Sequence, residues 1–203
     1  MPLDDAPFFQ TERLSLRRAT LDDVDLFFAL DSDPDVMRFI GDGHVVTDRR
    51  RTEAAVVERV LTGDERWPGL GLWVCETRQE GQPIGWAMLK PCVLSFYHEG
   101  VLHEPTSHIE LGYRLLGRAW GQGYATEAAR ALVDYGFERL GLPEILAVAI
   151  AEHAASIRVL YKAGLVDYGR ARYQGMNVNV YGVWRGRALP PPLPSSSPRR
   201  RRP

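Results

Sequence analysis

The sequence predicts an α+β fold, a mixed α/β sheet flanked by helices, and three observations predict it. Seven strand-like segments are interleaved with segments whose apolar residues recur at helical spacing, the order expected of a sheet covered by helices. The chain has 203 residues, which at about 150 per domain makes one domain with at most an appendage. Hydrophobic residues make up 45% and charged residues 25%, the composition of an ordinary globular protein and not of a disordered or collagen-like chain.

Residues 13–17 alternate as a half-buried strand. Thr20 then offers an N-cap with Asp23 three positions on, so a helix starts there and carries Leu21, Val24, Phe27 and Phe28. Asp33-Pro34 breaks it before a short helical segment at 36–40. A further helix is expected over 49–61, with Ala54, Val57, Val60 and Leu61 as its apolar set. Residues 71–77 and 83–90 read as a hairpin around Glu80-Gly81-Gln82. Residues 93–106 read only as a connection, and 107–116 as the next strand. The strongest helix covers 124–141, with Ala125, Ala128, Ala129, Leu132, Val133, Phe137 and Leu140 on one stripe and Gly141-Leu142-Pro143 closing it. A buried strand at 145–151, a helix at 154–163 ending on Gly164, and strands at 166–171 and 178–184 complete the domain.

The expected organisation is an N-terminal extension at 1–11, a single domain at 12–189 and a disordered tail at 190–203, where six prolines, three serines and four arginines cluster. The net charge is −1, but Arg199 to Arg202 account for four positive charges, so residues 1–198 hold 21 basic against 26 acidic groups. That acidic body argues against nucleic-acid binding by the folded domain; for the basic tail, contact with RNA or an acidic partner stays open beside a merely solvated end. The longest apolar run has seven residues, against the roughly 20 that span a bilayer, so no membrane partner is expected. The N-terminus places acidic residues where a secretion signal needs basic ones, and a cytoplasmic protein is the expectation. Cys75 and Cys92 have neither metal nor disulfide spacing and read as buried free thiols. His98 and His103 are five apart with a glycine between them, so they do not form HExxH, and no metal site is expected.

Arg118-Ala119-Trp120-Gly121-Gln122-Gly123-Tyr124-Ala125 lies between a strand and the strongest helix, where backbone amides at a helix start favour an anion. A glycine pair here suits either a plain turn or a phosphate loop. A dinucleotide-binding reading fails in detail, because the third glycine of GxGxxG would fall on Thr126 and no second strand–helix repeat accompanies it.

Arg118-x-x-Gly121-x-Gly123 matches the acyl-CoA loop [QR]xxGx[GA], and Ile109-Glu110-Leu111-Gly112-Tyr113 together with residues 155–165, close to ASIRVLEKLGF, complete the pattern. On these residues the chain resembles the GNAT N-acetyltransferase superfamily over about 12–187, and within it the ribosomal-protein-alanine (RimJ/RimL-like) group. The resemblance implies an acyl-CoA N-acyltransferase fold with splayed central strands, a monomer or homodimer, and acetyl-CoA as co-substrate without a metal. It places the pantetheine arm on backbone groups near Leu115 and Leu116. It places the pyrophosphate on the amides of Trp120, Gly121, Gln122, Gly123, Tyr124 and Ala125, with Arg118 nearby. His153 stands where relatives carry asparagine, and its ring can still donate and accept one hydrogen bond each.

Acetyl transfer needs a neutral amine, a polarised thioester and a proton for the thiolate. The resemblance makes Glu110 the candidate base, with a structural carboxylate as the alternative. It makes Ser156 the candidate proton donor, with a helix cap or first-turn residue as the alternative. The tyrosine acid of many relatives falls on Leu160, and Tyr161 is one step, about 100°, around the helix. Phe28, Phe39, Trp86 and Tyr113 are expected on the acceptor side. The acceptor itself is a primary amine, a protein N-terminus or a small molecule; an acyl-CoA sensor or scaffold without turnover is the competing function.

Overall fold

The structure, a computed structural model, describes residues 9–62 and 68–186. The segment 190–203, including its arginines, lies outside the described residues. A nine-stranded sheet runs in the order β1-β2-β3-β4-β6-β7-β9-β8, with β5 paired to β4 off this path and β4 also pairing β8. Its strands are β1 (Phe9–Gln10), β2 (Leu14–Arg18), β3 (Gly71–Thr77), β4 (Pro83–His98), β5 (Val101–Leu102), β6 (Thr106–Leu115), β7 (Glu144–Ala149), β8 (Val166–Tyr173) and β9 (Met176–Trp184). The helices are α1 (Val24–Asp31), α2 (Pro34–Met37), α3 (Arg49–Thr62), α4 (Tyr124–Glu138) and α5 (Ala154–Lys162). All pairings are antiparallel except β6 with β7.

Local chemistry sets several boundaries. The Thr20 hydroxyl accepts from the Asp22 amide while Asp23 accepts from the Thr20 amide, which starts a 3-10 turn leading into α1. Asp33 caps α2, whose first residue is Pro34, where a missing N–H costs nothing. The side chains of Val60 and Leu61 lie outside the described residues; Thr52 and Val56, neither in the expected stripe, are buried in α3, whereas Ala54 is exposed and Val57 half-buried.

Two segments differ from what the sequence predicts. Phe9 and Gln10 pair with Leu16 and Ser15, and the Phe9 ring packs edge-on against Trp73 and Tyr135, so the sheet begins inside the segment set apart as an extension. The supposed connection at 93–106 is mostly strand. β4 continues to His98, burying Cys92, Leu94 and Phe96 on alternate positions, and returns through β5 into β6.

The apolar core lies in layers. Leu111, Leu115, Ala128, Ala129, Leu132 and Leu160 join one face of the sheet to α4 and α5. Phe27, Leu30, Val56, Val74 and Trp86 join the other face to α1 and α3. At roughly 1.5–3 kcal/mol for each fully buried large apolar side chain, these layers hold the sheet rigidly around the one place where its strands part.

Candidate active site

That place is the β6–β7 boundary. Ten residues of β6 pair with β4, but only Glu110 and Leu146 are in register between β6 and β7. Beyond them the strands diverge, and the edge of β6 turned away from β4, from Leu111 to Leu115, has no strand beside it among the described residues. The Leu116 amide donates to the Ile84 carbonyl at 2.8 Å. Backbone direction alternates along a strand, so Leu115, Tyr113 and Leu111 turn their main-chain groups toward the opening. Leu116 does not: its amide serves Ile84 and its carbonyl accepts from Ala119. The Leu115 carbonyl accepts from Trp120 Nε1 at 2.8 Å, which leaves the Leu115 amide as the group directed into the gap.

β6 ends in a 3-10 turn, Gly117–Ala119, followed by the loop. Gly121 and Gly123 adopt φ of 75° and 85°, a left-handed conformation that L side chains resist, and a Cβ on Gly121 would meet nothing within 4 Å. The Trp120 amide donates to Gly117, so the available amides begin at Gly121 and not at Trp120. Gly123 is the N-cap of α4 without any side-chain cap, and the first helical bond runs from the Glu127 amide to its carbonyl. Tyr124, Ala125 and also Thr126, which the motif did not single out, therefore have amides without a helical acceptor, at the positive end of a 15-residue helix. Gln122 ties back to the Arg118 carbonyl through Nε2. Arg118 is exposed and donates to the Pro83 carbonyl at 2.8 Å, on the rim of an open groove of about 600 Å³ shared with Arg13, Gln122 and Tyr124.

Ser156 occupies the first turn of α5, three residues after the N-cap His153, so it is not a cap. The Tyr113 hydroxyl lies 3.0 Å from both its Oγ and its carbonyl. Burial drives the Tyr113 phenol far above its ordinary pKa, more than the Ser156 hydrogen bond lowers it. Tyr113 thus stands on the α4/α5 face, whereas Trp86 is buried on the opposite face among α1 and α3. The expectation that both line one acceptor surface is corrected by strand alternation, since Trp86 pairs with Arg114 and Tyr113 with Ala87. Tyr161 packs edge-on against Tyr181, and Leu160 is buried in the core.

Glu110 is 6% exposed, at the point where β6 and β7 part. Its Oε2 accepts from the Tyr173 hydroxyl at 2.8 Å and lies 3.6 Å from Lys90 Nζ. Nearby on the α1/α2 face, Arg114 forms a buried ion pair with Asp31 and lies over the Trp86 ring at 5.2 Å. Trp86 Nε1 is buried with no partner among the described residues. Phe28 is half-buried on α1. Phe39 stacks on His153 with centroids 4.4 Å apart, joining the segment after α2 to the start of α5. The His153 Nδ1 is buried and without a partner among the described residues, and desolvation lowers its pKa. The buried Cys75 and Cys92 thiols are pushed up to about 12 by desolvation, so neither is a thiolate nucleophile near neutral pH. Among the described residues no group of three or more His, Cys, Asp or Glu could hold a metal, and no helix is long and apolar enough to cross a membrane.

Splayed central strands over a glycine-flanked helix start define an acyl-CoA N-acyltransferase fold. A family profile for the acetyltransferase (GNAT) domain matches residues 13–166, and the chain belongs to that family. Among curated relatives, FsC-acetyl coenzyme A-N(2)-transacetylase of Aspergillus fumigatus is 34% identical over 166 residues, 81% of this chain and 67% of the relative. An acetyltransferase structure from Agrobacterium tumefaciens has a TM-score of 0.69 at 23% identity, covering 91% of this chain and 98% of that one. RimL, a ribosomal L7/L12 alpha-N-protein acetyltransferase solved with coenzyme A, has a TM-score of 0.67 at 16% identity, covering 88% and 98%. The protein is an acyl-CoA-dependent N-acetyltransferase.

Proposed function

We propose that the protein moves the acetyl group of acetyl-CoA directly to a primary amine, on a peptide N-terminus or a small molecule. The observation that carries this reading is the divergence of β6 from β7 immediately before a loop of unpaired amides. The loop amides from Gly121 to Thr126 hold the pyrophosphate, and the free edge of β6 holds the pantetheine arm, with the thioester carbonyl polarised by an outward strand amide. The amine enters from the α1/α2 face beside Glu110. Both contacts of Glu110 fall on Oε2, which leaves Oε1 to take the amine proton directly or through one water. The new N–C bond forms and the C–S bond breaks; the thiolate is protonated through the Ser156 hydroxyl, which Tyr113 orients and which regains a proton from solvent water as it gives one up, while Glu110 releases the amine proton to solvent.

At pH 7, deprotonating a lysine amine costs roughly 4 kcal/mol and an α-amino group roughly 1.4 kcal/mol. A single carboxylate base therefore favours an α-amine or a similarly acidic amine. The 34%-identical relative is named an FsC-acetyl coenzyme A-N(2)-transacetylase, which supports an acetyl-CoA donor and a nitrogen acceptor. Release of free CoA thiol from acetyl-CoA with a panel of α-amino peptides and small amines tests the reading. Turnover with at least one α-amine, faster than with any lysine-type amine, is expected. Tight acetyl-CoA binding without turnover on any amine would instead make the protein an acyl-CoA sensor.

A further inference from the structure

Glu127 stands in the first turn of α4, and its carboxylate is held by the segment that enters β2. Oε1 accepts from the Thr11 hydroxyl and from the Arg13 amide, the latter at 2.7 Å. Oε2 accepts from Arg13 Nε at 2.8 Å and Nη2 at 2.7 Å. Burial would raise the Glu127 carboxyl, but Thr11 and Arg13 outweigh it and hold its pKa low. The same guanidinium reaches the loop: Nη1 donates to the Gln122 carbonyl at 2.8 Å, and the cation lies over the Tyr124 ring at 4.8 Å. Its Nη2 is 3.3 Å from where a Gly123 Cβ would stand.

We propose that Arg13 and Glu127 are a positioning pair that presets the amide-lined loop for the phosphates of acyl-CoA, an inference that rests on the cofactor placement above. Gly121 and Gly123 are both left-handed, and two glycines give the loop many alternative conformations. Arg13 fixes the peptide between Gln122 and Gly123 by its carbonyl. A trans peptide points its N–H opposite to its carbonyl, so the Gly123 amide is turned away from the guanidinium, toward the side left for an anion. The Glu127 bonds hold the other end of the fork to the helix that supplies the remaining amides. A lysine, with a point-like ammonium, cannot bridge Glu127 and Gln122 in this planar way. Arg13 is 45% exposed, and an ion pair that open adds little to global stability, so its loss registers in affinity before it registers in melting.

The test is calorimetric binding of acetyl-CoA and steady-state kinetics on Arg13→Met, Arg13→Lys, Glu127→Gln and the Arg13→Met/Glu127→Gln double variant. Preorganisation predicts that Arg13→Met raises the acetyl-CoA Kd and KM about tenfold. The kcat at saturation and the acceptor KM stay within about twofold, because only cofactor binding is weakened. Lysine does not restore the loss, and the double variant is no weaker than Arg13→Met alone. Unchanged affinity in folded Arg13→Met, full restoration by lysine, or equal loss in kcat and acceptor KM overturns the proposal. If Arg13→Met does not fold, unchanged affinity in Glu127→Gln, which keeps an acceptor for Thr11, overturns it equally, and a loss there supports it. A wild-type protein that fails to bind acetyl-CoA, or a Gly121→Val variant that binds it normally, would refute the cofactor placement itself; the clamp fails separately when those two behave as expected and its own variants do not.

Discussion

His153 places its ring at the N-cap of α5, where burial lowers its pKa and favours the neutral form. A folded-state pKa below the unfolded value of about 6.5 means that the unfolded chain binds the proton more readily, so this contribution to stability is present above about pH 6.5 and lost as pH falls through the lower folded value. His153→Asn should therefore flatten the stability curve just below about pH 6.5, read as a smaller shift in urea midpoint. Asparagine also offers a donor and an acceptor, so acetyl-CoA affinity should stay within a few fold; a large loss in calorimetry would give the histidine a role of its own. Glu110 permits an equally sharp test. Glu110→Gln keeps an oxygen for Tyr173 but takes no proton, and as a base its loss should lower kcat/KM about a hundredfold with the melting temperature nearly unchanged. A structural carboxylate would give the reverse, lower melting with the rate intact.

At the scale of elements, α4 and its loop were legible because their information is local: an apolar stripe at helical spacing, two glycines ahead of it and a glycine–proline stop. The extension of β4 was also written locally, in the alternation of Cys92, Leu94 and Phe96, but Pro91 and the turn at Glu99-Gly100 obscured it; the strand tolerates Pro91 opposite Ile109. What the sequence could not show are contacts between distant elements. Arg13 meets Glu127 across 114 positions, and Tyr113 reaches Ser156 across 43; no spacing rule links such residues until the sheet brings them together. The loop makes a prediction that separates folding from binding. In Gly121→Val the added Cβ meets nothing, and the left-handed backbone costs about 1–2 kcal/mol, so the protein still folds. Acetyl-CoA affinity should nevertheless fall by more than about a hundredfold, since a side chain would stand among the amides that receive the phosphates. Unchanged affinity would move the phosphate site elsewhere.

Across the whole molecule, the near-zero net charge hides how the charges are used. Three carboxylates with lowered pKa values tie separate elements of the fold together. Asp23, raised by burial but lowered more by Arg17 and the Thr20 amide, fixes the start of α1 to β2. Glu127 fixes the entry to β2 against α4, through the Thr11 hydroxyl and the Arg13 amide more than through its open ion pair. Glu144, lowered first by its His108 hydrogen bond, then opposed by burial and helped by Trp184, joins β7 to β6 and β9. For each, the folded pKa lies below the unfolded one, so the contribution is complete above the unfolded value of about 4 and is lost as pH falls through the folded value. Stability should therefore decline steeply below about pH 4.5, a window separate from that of His153. Glu144 sits beside the parting of β6 and β7, where the sheet has a single register pair to hold it. Glu144→Gln should consequently lower the urea midpoint at pH 7, because the neutral amide loses the charge-assisted bond to His108, and should shrink the difference between wild type and variant as pH is brought to 3. An equal deficit at both pH values would show that the Glu144 charge does not contribute to holding the opening in shape.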